Sequence, residues 1–524
     1  MLKEINNKYK VHIYTLLGKY PSEYNEVNWF VKDINYTFKS NLGIFSILKY
    51  LEAKNFQNIE ITLLFPHSIF LNEKNKAKVE IPENKLNDIS YLENIVKELF
   101  LKEAKKYLSP NFNLKVQVKV IPSISSFKYK NKIYTYDYDF FDRVLFTYLI
   151  FLNNFEKDLN EKEHVINMLD VSVGLNALIT ETLEAFYSLC VYKSIYESYF
   201  NFQKKEKLIK ENRKFDFYLV SMDPVIGADE AKKEKNIQFY NISKKLFFDA
   251  PLRLRDIEEK NKKIFSSLGF DKNHIRDLEK YLRFSLFIFN IIKYNIPPGI
   301  TILEPKQIEA FKNSFKNKNN SSNFFTELIE KLGKTIFNFD LVKESEDSFI
   351  IRKNYDYPNS QELFNYIRSL TYLLAFGKVL SDIIFVEKIE SGLEKEDNSL
   401  KIKISRSYVL NNSLNNNLKN HPYFKHILNI YDHFHLVLNK VFLERDLEGR
   451  SQDDIYRRLK DCLEKNISSS DQSHYIKKIS ERNLLAHSGF EKNSTCIEKK
   501  GNYCLVYYHP ESKERIKKHI LNLE

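Results

Sequence analysis

Short apolar runs separated by longer helical segments dominate the first 245 residues of this chain. Each run has the length and the β-branched or aromatic content of a buried strand. Strands joined through helices pair in parallel, so the pattern predicts a Rossmann-like α/β domain, an open parallel sheet with flanking helices. The predicted strands are Lys10–Gly18, Asn58–Pro66, Asn113–Pro122, His164–Ser172, Phe215–Ser221 and Asn236–Ile242.

The remainder of the chain has long amphipathic segments and few strand signals. Residues 276–295, 359–385 and 421–447 have the length and periodicity of helices. The stretch "STCIEKKGNYCLVYYHP" predicts a hairpin with its turn at "EKKGN". We therefore expect three units: an α/β domain over 1–245, a helical linker or insertion over 246–354, and an all-α domain with a small β-hairpin over 355–524.

Composition and charge restrict the class of protein. Of the 524 residues, 43% are hydrophobic and 29% are charged, which is typical of a folded chain. The formal charge of +12 favours polyanionic partners, although an AT-rich genome would give the same lysine excess. No apolar run approaches the roughly 20 residues that a bilayer requires, and no signal segment is present. We predict a cytoplasmic protein without membrane contact.

The cysteines indicate a reducing compartment. Cys190, Cys462, Cys496 and Cys504 show no metal-binding spacing and are too few for a disulfide scaffold. Cys496 and Cys504 flank the predicted hairpin turn, so we expect them to face each other across it as a structural or incidental pair. No metal site is predicted.

Two loops of the predicted sheet carry residues suited to a ligand. "LLGKYPSEYNEVNW" follows the first strand, and Gly18 lets the backbone turn sharply and approach a ligand. "LDVSVGLN", Leu169 to Asn176, ends a strand in short polar side chains and a glycine, which suits phosphate or ribose. Such loops lie at the carboxyl edge of a doubly wound sheet, where small ligands bind. Neither is a dinucleotide or phosphate-loop fingerprint, and ordinary tight turns would also explain both.

The segment "SSSDQSHYIKKISERNLLAHSGF" is predicted to form one short helix with marked ends. Ser469 with Gln472 has capping-box spacing, and Gly489 is a C-terminal stop. Asn483 and His487 are four residues apart and therefore share a helix face. The neighbouring Arg482 points away from that face, but its long side chain can reach the same pocket.

These three residue types fit RNA cleavage without a metal. Histidine exchanges protons near neutral pH, arginine stabilises the developing phosphorane charge, and asparagine orients the histidine or the substrate. One helix supplies too few groups, so two helices from two subunits would make a more capable site. Taken alone, an exposed ion pair for Arg482 and a helix cap for His487 would be the usual explanation. The other motifs of the chain, given next, favour the catalytic interpretation over that explanation.

The combined motifs resemble the type III CRISPR ancillary ribonucleases, which couple a CARF sensor domain to a HEPN nuclease domain. "RNLLAHSGF" is similar to the HEPN pattern of an arginine, a polar residue and a histidine near a helix end. "LDVSVGLN" is similar to the CARF pattern of a strand that ends in Asp, a small hydroxyl residue, Gly and Asn. "YTLLGKYPSEYNEVNW" and "LVSMDPV" resemble the first-strand loop and a later strand end. The order, sensor first and nuclease last, also agrees.

The resemblance implies a CARF ligand-sensing domain over 1–245, a helical linker or insertion over 246–354 and a HEPN ribonuclease domain over 355–524. It implies a homodimer or a higher dimer-based oligomer without a cofactor. A cyclic oligoadenylate second messenger, expected to be cyclic tetraadenylate, would bind across two CARF domains and activate metal-independent cleavage of single-stranded RNA. By this resemblance the catalytic residues are Arg482, Asn483 and His487, and the activator site is lined by Gly18, Lys19, Ser172, Gly174 and Asn176.

Two other functions stay open at this point. A ligand-sensing CARF-type regulator would bind nucleic acid without cleaving it, and its helical domain would serve for dimerisation or DNA binding. A metabolic nucleotide-binding enzyme is the third possibility. The absence of a phosphate-loop or dinucleotide fingerprint argues against that enzyme.

Overall fold

The computed structural model describes most of the N-terminal three quarters of the chain and a C-terminal segment. The described residues are 9–32, 35–73, 75, 77, 79–159, 164–171, 176–205, 215–223, 234–242, 252–294, 296–315, 324–384, 392–396, 399–405, 421, 430, 458–459, 461–463 and 494–523.

The N-terminal region contains ten strands and four helices among the described residues. The strands are β1 (Lys10–Leu16), β2 (Val27–Val31), β3 (Tyr36–Ser40), β4 (Ile59–Pro66), β5 (Leu114–Ile121), β6 (Ser126–Tyr129), β7 (Lys132–Asp137), β8 (Val165–Asp170), β9 (Phe215–Met222) and β10 (Lys235–Asn241). The helices are α1 (Gly43–Ala53), α2 (Ile89–Ala104), α3 (Phe140–Leu159) and α4 (Asn176–Lys205). All six predicted strands are confirmed to within two residues at their described ends.

Eight of these strands form the main sheet of the described region, in the order β3-β2-β10-β9-β8-β1-β4-β5. The central strands β9, β8, β1, β4 and β5 pair in parallel, as predicted. The prediction of a wholly parallel sheet was wrong, because β10 runs antiparallel to β9 and β2 antiparallel to β3. Twelve residues connect β9 to β10, which is at the lower limit for the crossover of a parallel pair, and an antiparallel pair needs no crossover.

Apolar side chains alternate between the two faces of the main sheet. On β1, Val11 and Ile13 belong to the core that includes α1 and α2, whereas Tyr14 and Leu16 belong to the core that includes α3 and α4. This period of two is what a strand buried on both faces requires. The sheet is therefore a central layer with helices on each side.

A second sheet joins the N-terminal region to the middle of the chain. Its order is β11-β12-β7-β6, with β11 (Phe339–Lys343) and β12 (Ser348–Lys353) supplied by a hairpin far along the sequence. β12 pairs in parallel with β7 over Ser348 to Arg352. The sequence analysis found few strand signals after Leu246 and did not predict this hairpin, because its strands are short and their pairing with β7 is long-range.

Helices cover the α3–α4 side of the main sheet. They are α5 (Leu254–Ser267), α6 (Lys272–Lys293), α7 (Pro305–Ser314), α8 (Phe324–Ile336) and α9 (Ser360–Ile384). The predicted helices at 276–295 and 359–385 are confirmed as α6 and α9, and the prediction for 421–447 lies outside the described residues apart from two positions. α9 packs against α3, α4 and α6, so one continuous hydrophobic core extends from the sheet into the middle of the chain.

A third sheet lies near the C-terminus. It has the order β13-β14-β16-β15, from β13 (Leu393–Glu396), β14 (Ser399–Ser405), β15 (Thr495–Lys500) and β16 (Tyr503–Tyr508), and α10 (Pro510–Leu521) follows it. The predicted hairpin is the β15–β16 pair, and Gly501 in its turn has the left-handed φ of 60° that favours glycine. This hairpin belongs to a four-stranded sheet, so the all-α description with an isolated hairpin needs correction.

The cysteines differ from the expectation. Cys496 lies opposite Tyr507 and Cys504 opposite Lys499, so the two cysteines do not face each other in the hairpin. Cys504 instead forms a disulfide with Cys462, while Cys190 and Cys496 are buried and not disulfide-bonded. The prediction overlooked this pair because the two residues are brought together by the fold and not by hairpin register.

In the part of the chain that the structure describes, no helix combines the length and the apolar character that a bilayer crossing requires.

Candidate functional site

The two predicted ligand loops follow adjacent strands of the main sheet. β1 and β8 pair in parallel, with Thr15 opposite Asp170 near their carboxyl ends. Among the parallel strands, the chain passes from β1 to β4 and β5 on one side, and then to β8 and β9 on the other side of β1. The gap between β1 and β8 is thus the topological switch point, where open α/β sheets bind ligands.

The first loop presents backbone amides close to this point. The N–H groups of Gly18 and Lys19 donate to the hydroxyl oxygen of Tyr24, over 2.9 and 3.2 Å. The Lys19 ammonium nitrogen lies 4.6 Å from the centroid of the Tyr24 ring. Gly18 is exposed and Lys19 partly buried, so a phosphate can approach these groups from solvent.

Tyr24 connects the first loop to the end of β8. Burial raises the pKa of Tyr24 well above its usual value, and the negative charge of Asp170 adds to the effect. The phenol therefore remains neutral at physiological pH. The amides that would bind a phosphate are occupied by this hydroxyl, which the sequence analysis did not anticipate.

The end of β8 is fixed by a buried contact. The Thr15 hydroxyl donates to a carboxylate oxygen of Asp170 over 2.8 Å, and both side chains are almost fully buried. Asn176 is the exposed first residue of α4, as expected for a residue of the second loop. Ser172 and Gly174 lie outside the described residues.

A charged brace joins α3 to α4. The Arg143 guanidinium contacts the Glu181 carboxylate with Nε–Oε2 and Nη2–Oε1 distances of 2.9 and 2.7 Å. Burial raises the pKa of Glu181 despite this pairing. Bidentate pairs of this kind fix geometry as well as charge. The brace therefore holds the first turns of α4 against α3.

A second cluster ties the middle hairpin and α9 to α3. The Lys353 ammonium lies 3.0 Å from the Asp142 carboxylate and 3.1 Å from the hydroxyl of Ser360 at the start of α9. The hydroxyl of Tyr355 donates to the same carboxylate over 2.9 Å. Sequence reasoning could not find this cluster, because Asp142 lies more than 200 positions from the other three members along the chain.

His67 lies directly after β4, at the carboxyl edge of the sheet. Its Nε2 donates to the carbonyl oxygen of Leu86 over 2.7 Å, and its Nδ1 lies 2.5 Å from the hydroxyl of Tyr136 on β7. Since a carbonyl only accepts, the neutral ring carries its proton on Nε2 and accepts from Tyr136 at Nδ1. Burial lowers the pKa of His67 to about 4. The residue thus joins β4 to the second sheet.

The predicted catalytic residues Arg482, Asn483 and His487 lie outside the described residues. The described residues before and after these three positions contact each other. The Cys462–Cys504 disulfide joins residues 461–463 to β16, and the Arg458 guanidinium donates to the carbonyl oxygen of Thr495 over 3.0 Å. The chain therefore leaves and re-enters the described region beside the same hairpin.

No group of three or more His, Cys, Asp or Glu side chains arranged to hold a metal ion occurs within the described ranges.

Comparison with known proteins identifies two domains. Residues 12–224 match the family model for the CARF domain of the CRISPR system endoribonuclease Csx1. Residues 436–511 match the model for the HEPN domain of the same endoribonuclease, and the two matches together cover more than half of the chain. No curated protein matches the sequence.

Among solved structures, the chain aligns with Enterococcus italicus Csm6 bound to cyclic hexa-2'-fluoro-hexa-dAMP. The alignment covers 86% of this chain and 98% of that chain, at 12% identity and a TM-score of 0.22. At that TM-score the alignment supports no conclusion about this chain. The order of the two domain matches agrees with a sensor followed by a nuclease. The chain therefore belongs to the CARF–HEPN ribonucleases of type III CRISPR systems.

Proposed function

We propose that the protein is an endoribonuclease that a cyclic oligoadenylate switches on. The observation that carries this proposal is the presence of a CARF match and a HEPN match in one chain, over 12–224 and 436–511. The HEPN match favours cleavage over a regulator that binds nucleic acid without cutting it. The domain limits 1–245, 246–354 and 355–524 are part of the proposal.

The proposed catalytic residues are those of the R-x-x-x-x-H motif, which lies in the sequence of the HEPN match. His487 would move the proton of the attacking 2'-hydroxyl, Arg482 would stabilise charge on the phosphorane, and Asn483 would orient histidine or substrate. The nucleophile belongs to the RNA itself, so this chemistry requires no metal. A second motif from a partner subunit would complete the site across a two-fold axis.

The proposed activator site lies at the gap between β1 and β8. Phosphates of the ring would be bound by the amides of Gly18 and Lys19 and by the Lys19 ammonium, while Ser172, Gly174 and Asn176 would contact ribose or base. Two observations support this placement: the switch-point topology and the solvent exposure of Gly18, whose amide a phosphate would take over from the Tyr24 hydroxyl. A cyclic tetraadenylate is two-fold symmetric, so identical loops from two subunits would meet identical halves of it. Activation then follows from tighter binding to the active dimer.

The test is cleavage of a fluorescent single-stranded RNA in EDTA, with no ligand, cyclic tetraadenylate or cyclic hexaadenylate. We expect cleavage only with one of the rings, and loss of about 10² to 10⁴ in rate for His487→Ala. His519→Ala, a histidine of α10 outside the motif, is the matched control and should cleave normally.

Calorimetry on the same proteins separates sensing from cleavage. His487→Ala should still bind the activating ring, because the replaced residue lies in the other domain match. Ring binding without RNA cleavage under any condition would refute the ribonuclease, and normal turnover by His487→Ala would refute the assigned residue.

A further inference from the structure

An open groove lies between α6 and α10, with α5 and α7 at its sides. Its volume is about 940 Å³, at the upper end of the roughly 300–1,000 Å³ of small-ligand sites. α10 is held against α6 by Asn290, whose side-chain Nδ2 donates to the carbonyl oxygen of Ile520 over 2.7 Å. The lining residues fall at 254–311 and 514–521, outside both family matches. The groove therefore lies outside both family matches, although α10 falls within the proposed nuclease limits 355–524.

The floor of the groove is aromatic. Phe287 and Phe311 are almost fully buried, and Tyr281 and Phe284 are only partly buried above them. The ring centroids of Phe284 and Phe311 are 4.3 Å apart, and those of Tyr281 and Phe311 are 5.7 Å apart. Partly exposed rings packed on a rigid base provide flat apolar faces on which nucleobases stack.

The rim of the groove is basic. On α6, Arg276, Lys280, Phe284 and Phe287 follow each other at spacings of three or four, so they share one helix face. Arg276 and Lys280 are exposed and lie at the outer end of that face, while the phenylalanines lie deeper. A nucleotide fits this arrangement, because its phosphate would contact the basic rim and its base would contact the aromatic floor.

α10 supplies the opposite side of the rim in the same way. Lys517, Lys518 and Leu521 lie on its groove face, at spacings of three and four from the lysines to the leucine. Lys518 is exposed and Lys517 partly buried, whereas Leu521 is buried. Two helix faces with basic outer ends thus border one apolar cleft.

The balance of charge around the groove is positive. The lining contains six Lys or Arg residues and three Glu residues. Two of the three acids are engaged by a single arginine: Arg283 lies 3.0 Å from Glu258 and 2.7 Å from Glu279. The basic excess therefore resides mainly on the other lysines and arginines of the rim, and it complements a polyanion.

We infer that this groove binds part of the single-stranded RNA substrate, with bases against Tyr281 and Phe284 and phosphates against Lys280, Lys517 and Lys518. The inference rests on the proposed ribonuclease function. Base pairs in a duplex are stacked on each other, so only unpaired bases can use the aromatic floor. α10 begins where the HEPN match ends, so the groove is joined to the proposed nuclease domain by the chain itself.

The test uses fluorescence anisotropy of a labelled single-stranded RNA on His487→Ala protein, so that the RNA stays intact. Lys280→Glu with Lys518→Glu reverses two exposed charges of the rim. Lys97→Glu with Lys105→Glu reverses two exposed charges in the N-terminal region, away from the groove, and is the matched control. We expect the rim variant to bind at least about tenfold more weakly than the control, with a salt slope smaller by about 0.7 for each lost phosphate contact.

Phe284→Leu tests the floor without a change of charge. The leucine retains apolar volume but removes the ring face, and we expect RNA affinity to fall about fivefold or more, because a stacked base contributes strongly to binding. Melting curves of each variant confirm folding. Unchanged RNA affinity in both the rim and the floor variants would overturn the inference.

Two further outcomes would also count against the groove. Equal weakening by the rim and control variants would mean that only the overall charge matters. A change in the mass of the assembly on sedimentation, with RNA affinity unchanged, would assign the groove to a second copy of the chain. Failure of the ribonuclease proposal is distinguishable, because it appears as absent cleavage by the unaltered protein and leaves the anisotropy comparison readable.

Discussion

Replacing His67 by glutamine is expected to remove a large part of the acid sensitivity of the folded protein. His67 is 1% exposed, and hydrogen bonds to Leu86 and Tyr136 engage both ring nitrogens of the neutral form. Protonation would place a charge in this buried position and would turn Nδ1 into a donor facing a hydroxyl. Glutamine cannot take up that proton, so its stability should respond less to acid.

The size of the effect follows from the two pKa values of His67. The pKa is 6.5 in the unfolded reference and about 4 in the folded protein. Because the folded value is the lower one, the unfolded chain binds more protons between them, and the free energy of unfolding falls as the pH falls. The loss is about 2 kcal/mol between pH 7.5 and pH 5, and about 3 kcal/mol at the acid limit.

The assay is urea unfolding followed by circular dichroism at pH 7.5 and pH 5. Over this interval the free energy of unfolding of the unaltered protein should fall by about 2 kcal/mol more than that of His67→Gln. His519→Gln, which changes a partly exposed histidine, should match the unaltered protein. An equal loss in His67→Gln and the unaltered protein would refute the assignment of this acid sensitivity to His67.

Three other predictions concern the sensor edge, the core and the disulfide. Tyr24→Phe frees two backbone amides, so calorimetry should show the cyclic oligoadenylate binding about five- to tenfold more tightly; weaker binding would mean that the hydroxyl organises the loop. Leu373→Ala, in the buried face of α9, should lower the free energy of unfolding in urea by about 2–5 kcal/mol. The exposed Gln361→Ala should lower it by about 0.5 kcal/mol or less, and similar values for the two variants would contradict the packing. Reduction of the Cys462–Cys504 disulfide, which closes a separation of 42 residues, should lower the free energy of unfolding by up to about 4 kcal/mol. Because Cys190 and Cys496 are buried, thiols are titrated in denaturant; the titration should count two cysteines before reduction and four after it, and four at the outset would disprove the bond.

The strands of the main sheet were predictable because their sequences show strand patterns. β1, β4 and β8 are mostly apolar and almost wholly buried, whereas the edge strand β5 alternates apolar and polar residues. The helical periodicity of α4, α6 and α9 was equally clear. β11 and β12 were missed because strands of five or six residues with mixed polarity depend on their partner for stability. The antiparallel direction of β10 could not be predicted either, since it depends on the connection between β9 and β10 and not on the residues of the strand.

Part of the proposed activator site could be placed from the sequence. Gly18 and Asn176 were expected at the carboxyl edge of the sheet, because loops after parallel strands share one sheet edge; that their two strands are neighbours was not predicted. The hydroxyl of Tyr24, which occupies the loop amides, was not predictable, since its partners are set by the turn of the loop. The same holds for the Arg143–Glu181 brace between two helices. The functional assignments of all eight site residues stay predictions: Gly18, Lys19, Ser172, Gly174, Asn176, Arg482, Asn483 and His487.

The parallel pairing of β7 with β12 has a practical consequence for anyone who wants the sensor by itself. A gene fragment that stops after residue 245 would encode β7 without its neighbour and leave an open strand edge, which invites pairing between chains. The fragment would also lack α9, which packs against α3. In the core between these two helices, the hydroxyls of Tyr148 and Thr371 lie 2.8 Å apart. Such a fragment should aggregate. A fragment that continues through Ile384 retains both partners and is the shorter piece worth purifying.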